Sequence, residues 1–129
     1  MPKQTAHIRK YSHNKEFSEN EYLKDSANID WAIIATFYSA LHLIEGLVAK
    51  HNLHFSSHKM RAQYVSRDKR LRELGIPAKY NTLYNQSIRA RYDCVAMDKK
   101  DLSDVVCALN YIEDKLLSEK IGRASCRER

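Results

Sequence analysis

Helix-breaking residues are scarce in this chain, because only three glycines and two prolines occur among its 129 residues. Folds built from short strands and tight turns need more of both, so this scarcity favours a few long helices. No segment alternates apolar and polar residues as a half-buried strand would. The sequence therefore predicts an all-α fold, an antiparallel bundle of four to five helices around one core.

Capping residues and apolar periodicity predict where these helices lie. Asn, Ser and Asp side chains accept hydrogen bonds from first-turn N–H groups, and the expected N-caps are Asn28, Ser57, Asp68 and Asp98. Gly75 and Pro77 are expected to end the short turn that follows Asp68. The predicted segments are about 3–25, Asn28 to about Lys50, a third helix that includes His58 to Val65, a short turn through Leu74, about 79–95, and Asp98 to about 118.

The last nine residues, IGRASCRER, are interpreted separately from the rest of the chain. They lack apolar periodicity, Gly122 would interrupt a continuing helix, and they resemble the translation of a common sequencing adapter. We expect one helical domain over residues 1–120, with 121–129 a non-native tail and the natural sequence after Lys120 missing. The alternative is a genuine basic tail. Three arginines and one glutamate in the tail contribute +2 to the formal net charge of +6, so the domain carries +4, a weak indication of anionic partners.

The sequence indicates neither a membrane span nor secretion. No apolar run approaches the roughly 20 residues that span a bilayer, and the N-terminus MPKQTAHIRK lacks the apolar segment of a signal peptide. Cys94 and Cys107 form no CxxC pair, so we expect both to be reduced thiols packed in the core. These features predict a cytoplasmic protein.

The stretch FYSALHLIEG, residues 37–46, places His42 and Glu45 in a helix that is otherwise apolar. On a wheel of about 100° per residue, the strip opposite the main apolar arc holds mostly small residues, with His42 among them. A helix without a charged face is normally central to a bundle. His42 and Glu45 are therefore expected to lie against another helix or against a second subunit.

Arg91 falls in the middle of the apolar arc of the fourth helix, within YNTLYNQSIRARYDCV. Burying an unpaired guanidinium is costly, so Arg91 should meet a carboxylate or several hydrogen-bond acceptors. We predict Glu45 as its partner, with Tyr38 and Tyr92 adding hydrogen bonds. An ion pair inside the bundle would thus connect the second and fourth helices.

His58 and Arg61 share one face of the third helix, at spacing i and i+3, and can join this cluster from the side. Arginine forks match phosphate oxygens and histidine can donate or shuttle a proton, so the cluster suits an anionic ligand such as a phosphate. The alternative is a purely structural ion pair that fixes helix register. The predicted ligand-binding residues are His42, Glu45, His58, Arg61, Arg91 and Tyr92, and the catalytic candidates are His42 and Arg91.

Three histidines in HNLHFSSH, His51, His54 and His58, have spacings of three and four residues, which can bind a transition metal. The segment lacks cysteine and a clear carboxylate ligand, so we interpret it as a solvated connection. The sequence also lacks a phosphate loop, a GxSxG motif and a zinc signature. We therefore predict no cofactor and no metal site.

Three segments of the chain resemble HEPN domains, small helical bundles associated with nucleic-acid and nucleotide chemistry. The resemblance runs from DWAIIATFYSALHLIEGL through SHKMR to LYNQSIRARYD and covers most of residues 1–120. It implies an all-α bundle and a homodimer. It also implies a role close to RNA, nucleotides or a nucleotidyltransferase-like partner protein, in the setting of a defence or toxin–antitoxin locus.

The nuclease motif of HEPN domains, an arginine followed by four to six residues and a histidine, is absent here. Arg9 and His13 come closest, with only three residues between them, and no histidine follows Arg61. RARYD occupies the corresponding helical place, with Arg91 and Tyr92 but without a histidine. The resemblance therefore does not carry the ribonuclease activity over to this chain.

These observations favour a HEPN-like accessory or binding module of a prokaryotic defence or toxin–antitoxin system, which binds RNA, a nucleotide or a partner protein. One alternative is a metal-independent ribonuclease, in which His42 or His58 acts with Arg91 on a 2′-hydroxyl and its phosphate. Another is a bundle that serves only for dimerisation. The missing motif argues against enzymatic activity.

Overall fold

Four long helices and two short ones make up the fold. The structure is a computed structural model that describes residues 3–24, 28–49, 53–93 and 96–117, apart from the side chains of 21–24. Among these residues there are six α-helices and no strand, so the predicted all-α bundle is confirmed. The helices are α1 Gln4–Lys24, α2 Ile29–Ala49, α3 His58–Arg67, α4 Lys69–Glu73, α5 Ile76–Tyr92 and α6 Lys99–Leu117.

The helix starts follow from local capping chemistry. Ser57 Oγ accepts a hydrogen bond from the Met60 N–H at 3.2 Å. The Asp68 carboxylate likewise accepts one from the Leu71 N–H at 2.9 Å. Asp98 caps α6 by accepting from the Asp101 N–H at 2.9 Å, and Asp101 accepts from the Asp98 N–H in return. This reciprocal arrangement satisfies two of the free N–H groups at the start of α6. The predicted caps at these three positions are confirmed.

The start of α5 differs from its predicted position. We expected the helix at about residue 79, but it begins at Ile76, directly after Gly75. Pro77 lies in its first turn instead of ending the preceding one. Proline is tolerated there because first-turn N–H groups have no partner within the helix.

Helix α2 lies at the centre of the bundle, between α1 on one side and α5 and α6 on the other. By length and composition alone it could cross a membrane, but 67% of its most apolar window is buried inside the fold. Such burial is typical of the core helix of a bundle. The absence of a membrane span stays a prediction for the chain.

The strip of small residues on α2 packs against another helix, α1, which is one of the two arrangements expected from the sequence. Ser39 Oγ donates to the Tyr11 carbonyl at 2.8 Å, and the Thr36 hydroxyl bonds the Ser18 hydroxyl. A Cβ added at Gly46 would lie 3.4 Å from the Ile8 side chain, an ordinary van der Waals distance, so the two helices are in contact at this position. From one hydrogen bond to the next, the residue numbers increase along α1 and decrease along α2, so the two helices are antiparallel.

Glu113 connects α6 to α1 in the core. Its side chain is fully buried, accepts a hydrogen bond from the Tyr11 hydroxyl and pairs with Lys15 Nζ at 2.8 Å. A buried carboxylate needs such partners, because desolvation of a lone charge is costly. This ion pair therefore contributes to fixing how α6 docks on α1.

One cysteine prediction is wrong. Cys107 is half-buried and disulfide-bonded, whereas we expected a reduced thiol. The missing CxxC pair excluded only a bond between neighbours in sequence, and a helical bundle brings distant residues together. Cys94, His51 and the tail 121–129 lie outside the described residues.

We predict that Gly75→Ala destabilises the fold by about 1–2 kcal/mol, measured by urea unfolding. Gly75 has φ +75°, a left-handed conformation that costs an L residue about that much. An added Cβ would also lie 2.7 Å from the Tyr111 hydroxyl, which donates to the Leu74 carbonyl at 2.8 Å. In a Tyr111→Phe background that contact is gone, so the same substitution should cost less. Equal cost in both backgrounds would show that the Tyr111 contact contributes nothing.

Candidate functional site

A buried ion pair between α2 and α3 lies at the centre of the candidate site. Arg61 Nε donates to Glu45 Oε1 at 2.9 Å, and the two residues are 7% and 4% exposed. Glu45 is thus paired as expected, but its partner is Arg61. The predicted ion pair between Glu45 and Arg91 is wrong.

The correction has a geometric reason. Tyr38 and Glu45 are seven residues apart, which is roughly 10 Å along α2. Because α5 runs antiparallel to α2, Arg91 near its end lies beside Tyr38, two turns before Glu45. Helix α3 instead brings Arg61 to Glu45. A helical wheel gives the angle of a residue around its helix, but not its position along a neighbouring one.

Arg91 is half-buried and makes only long hydrogen bonds. Its guanidinium donates to the Tyr38 hydroxyl at 3.3 Å, to the Ser87 carbonyl at 3.3 Å and to Ser87 Oγ at 3.4 Å. Among the described residues, no carboxylate lies within 4.0 Å of it. The predicted hydrogen bond to Tyr38 is therefore present, while the predicted carboxylate is not.

Tyr92 contributes its ring instead of a hydrogen bond. The guanidinium carbon of Arg91 lies 5.0 Å from the centre of the Tyr92 ring and 5.9 Å from that of Tyr38. Tyr92 is 66% exposed, so one side of this cation–π contact faces solvent. Arg91 is consequently held between two aromatic rings with part of its hydrogen-bonding capacity unused.

His58 lies next to both arginines. Its Nδ1 accepts from Arg61 Nη1 at 3.0 Å, and its ring packs 5.8 Å from Phe37 and 5.7 Å from Tyr84. Burial lowers the pKa of His58, and the positive charges of Arg61 and Arg91 lower it further. The side-on approach of His58 and Arg61 from α3 is thus as the i, i+3 spacing predicted.

His42 lies on the other side of α2, against α1. Its Nδ1 is 2.9 Å from Nδ1 of His7, a residue that the sequence did not single out. Burial lowers the pKa of His42 to about 4, with further contributions from His7, Lys10 and Arg61. The predicted convergence of His42 with His58 and Arg61 on one ligand is therefore replaced by two separate contacts, one toward α1 and one toward α3.

An open groove of about 420 Å³ runs between α1 and α2 beside His42. Its walls combine a cation with aromatic and aliphatic side chains, several of them exposed. Tyr38 belongs to this groove and also bonds Arg91, so the groove and the guanidinium adjoin. The lining residues are Lys10, Asn14, Phe17, Trp31, Ile34, Ala35, Tyr38 and His42.

His7 is the functional candidate that sequence reasoning missed. It is 7% exposed, and its Nε2 has no hydrogen-bond partner in the described part of the chain. Burial lowers the pKa of His7; the negative charge of Glu45 opposes this shift, while His54 and Arg61 add to it. The spacing of His7 and Tyr11, four residues apart and both buried, is the signal that could have placed His7 on the inner face of α1.

His54 and His58 do not belong to one cluster. We interpreted HNLHFSSH as a solvated connection, but His54 is half-buried and its ring centre lies 6.5 Å from that of His7. His58 instead faces Phe37 and Arg61. His54 and His58 therefore face two different parts of the fold.

Comparison with known proteins assigned no family to the chain. No protein-family model matches it, and neither does any curated protein. The resemblance to HEPN domains therefore stays a prediction, and the interpretation of the site depends on its own geometry.

We predict that the pKa of His58, measured by NMR titration, lies below 6.5 and rises toward that value in Arg91→Met. Removing the Arg91 charge removes one cause of the lowered pKa. In the unmodified chain, the pKa of His58 is lower in the folded state than in the unfolded state, so the unfolded state binds the proton at higher pH. His58 therefore makes the fold less stable as pH falls below about 6.5.

Arg89→Met is the matched control for this titration. Arg89 donates to Gln86 at 2.8 Å and lies 3.8 Å from Asp101, on the side of α5 that faces α6. Its removal should leave the His58 pKa unchanged. An equal effect of the two substitutions would contradict the assigned positions of the two arginines.

Proposed function

We propose that this chain is a HEPN-like binding module that takes single-stranded RNA or a nucleotide on one surface, called here the Arg91 surface. It consists of Arg91, Tyr92 and Tyr38 and continues into the groove between α1 and α2. The observation that carries the proposal is the half-buried Arg91 guanidinium without a carboxylate partner among the described residues. A defence or toxin–antitoxin system is the setting that the HEPN resemblance implies.

The guanidinium of Arg91 is positioned to bind a phosphate. Its three hydrogen bonds of 3.3 to 3.4 Å are longer than the usual 2.7–3.2 Å for N–H···O, so each is weak. Phosphate oxygens would form shorter, charge-assisted bonds, and the planar fork of arginine matches two of them at once. Tyr38 and Ser87 meanwhile hold the side chain in place.

Exposed aromatic rings on the same surface are suited to stacking with bases. Tyr92 is 66% exposed beside Arg91, and Trp31 is 65% exposed on the groove wall, where Phe17 is also exposed. Stacking of a base on an aromatic side chain contributes about 1–3 kcal/mol and tolerates any base. A surface with aromatic rings next to a guanidinium is suited to a ligand in which phosphates and bases alternate. It is less suited to a simple anion, which has no base to stack.

The charge of the domain agrees with an anionic ligand. Without the tail the formal net charge is +4, and Lys10 on the groove wall adds a second cation to the Arg91 surface. A net positive charge speeds encounter with nucleic acid and gives binding that weakens with salt. Charge alone does not select RNA, so the proposal depends on Arg91 and its aromatic neighbours.

We predict that the full chain binds a fluorescently labelled single-stranded oligouridine at low salt, measured by anisotropy in the presence of EDTA. Arg91→Met should weaken binding about tenfold, because a charge-assisted phosphate contact is lost. The slope of log affinity against log salt should fall in magnitude by about 0.7, the value for one phosphate contact to a single strand. Tyr92→Ala should weaken binding with little change in this slope.

Arg89→Met serves again as the control, since it removes one arginine from the same helix on the side facing α6. It should bind as the unmodified chain does, apart from the small effect of net charge. Absence of salt-sensitive binding, or equal affinities of Arg91→Met and Arg89→Met, would overturn the proposal. A stable dimer that binds no RNA would favour the dimerisation bundle.

A metal-independent ribonuclease is the second candidate function, because a lowered pKa keeps His58 neutral at pH 7 close to Arg91. A neutral imidazole can accept the proton of a 2′-hydroxyl as its oxygen bonds to the adjacent phosphorus, while the guanidinium stabilises the phosphate charge. The P–O5′ bond breaks, and the leaving 5′-oxygen takes up a proton from the imidazolium or from water. The same RNA, analysed on a denaturing gel with EDTA, tests this. Cleavage lost in His58→Ala and in Arg91→Ala supports the enzyme, and cleavage that survives both substitutions excludes the proposed site.

A further inference from the structure

Three side chains that can ligate a metal meet between α1, α2 and the loop before α3. His7, Glu45 and His54 each place one ligand atom within 4.8 Å of the other two. His7 and Glu45 are buried, and His54 is the partly exposed member. None of the three residues lines the groove of the Arg91 surface, and the cluster adjoins that groove through His42, which bonds His7.

The imidazole of His7 has one nitrogen engaged and one unengaged. Nδ1 bonds Nδ1 of His42 at 2.9 Å, while the buried Nε2 has no hydrogen-bond partner among the described residues. Buried polar atoms are nearly always partnered, so an unpartnered nitrogen on a ring that lies beside two other ligand groups points to a missing ligand. If His7 Nδ1–H donates to His42, Nε2 carries the lone pair that a metal requires. Metal-bound histidines are commonly held in this way through their second nitrogen.

The carboxylate of Glu45 is also oriented by a neighbour. Arg61 Nε bonds Oε1, whereas Oε2 has no hydrogen bond among the described residues. The ion pair therefore fixes the carboxylate and leaves one oxygen for coordination. Hydrogen bonds of this kind to a metal-binding carboxylate typically raise affinity by holding the ligand in position.

We propose that His7, Glu45 and His54 bind one divalent transition-metal ion, for which Zn²⁺ is the best fit. Two imidazoles and one carboxylate are a ligand set that zinc accepts, with a fourth position left for water or another ligand. Metal–ligand bonds of about 2.1 Å in tetrahedral geometry separate ligand atoms by about 3.4 Å. Separations of up to 4.8 Å therefore require an inward movement of up to about 1.4 Å, to which His54 can contribute because it lies in a loop.

The test is a calorimetric titration of the metal-free full chain, without an affinity tag, with Zn²⁺ alone. We expect one ion per chain, and at least about tenfold weaker binding in His54→Ala and in Glu45→Gln. His54→Ala changes a half-buried loop residue, and Glu45→Gln keeps the side-chain shape, so circular dichroism should confirm folding of both. Visible absorption of the Co²⁺-loaded chain gives an independent report of the ligand set and should change in the same two variants.

His13→Ala is the matched control, because His13 is an exposed histidine on the same helix as His7. It should bind Zn²⁺ with unchanged affinity and stoichiometry. Absence of stoichiometric binding by the unmodified chain, or affinity unaffected by both His54→Ala and Glu45→Gln, would overturn the proposal. The RNA measurement is made in EDTA, so failure of one proposal is distinguishable from failure of the other.

Discussion

The buried ion pair between Glu45 and Arg61 is the interaction on which the rest of the candidate site depends. Both side chains lie in the interior, where an unpaired charge costs several kcal/mol. The ion pair is therefore a side-chain link from α3, which packs on α4 and α5, to the second half of α2. This packing positions the loop before α3, which carries His54 toward His7, and it holds His58 against the aromatic side chains of α2 and α5.

The two proposed sites lie at different positions along α2. Arg91 lies beside Tyr38, two turns before Glu45, and its partners are a hydroxyl and a serine, close to solvent and to an exposed ring. The carboxylate of Glu45 also lies within 4.8 Å of a ligand atom of His7. A cationic aromatic surface thus lies at the Tyr38 end, and a group of metal-ligating atoms lies at the Glu45 end, roughly 10 Å apart by helix rise.

Features determined by neighbours in sequence could be predicted, whereas features determined by docking between helices could not. The caps at Ser57 and Asp98 and the i, i+3 contact of His58 with Arg61 follow from local spacing. The partner of Arg91 depends on how far α5 extends along α2, which periodicity does not specify. Sequence reasoning missed Glu113. It lies four residues after a buried leucine of α6 and therefore on the same buried face, where a charge requires a partner from another helix.

A double-mutant cycle on the unfolding free energy tests the central claim most directly. Glu45→Gln is combined in turn with Arg61→Met and with Arg91→Met, and each coupling energy is obtained from urea unfolding. The structure predicts a coupling of about 1–3 kcal/mol between Glu45 and Arg61, and one within about 0.5 kcal/mol of zero between Glu45 and Arg91. A strong coupling to Arg91 with none to Arg61 would contradict the assigned ion pair and both sites that depend on it.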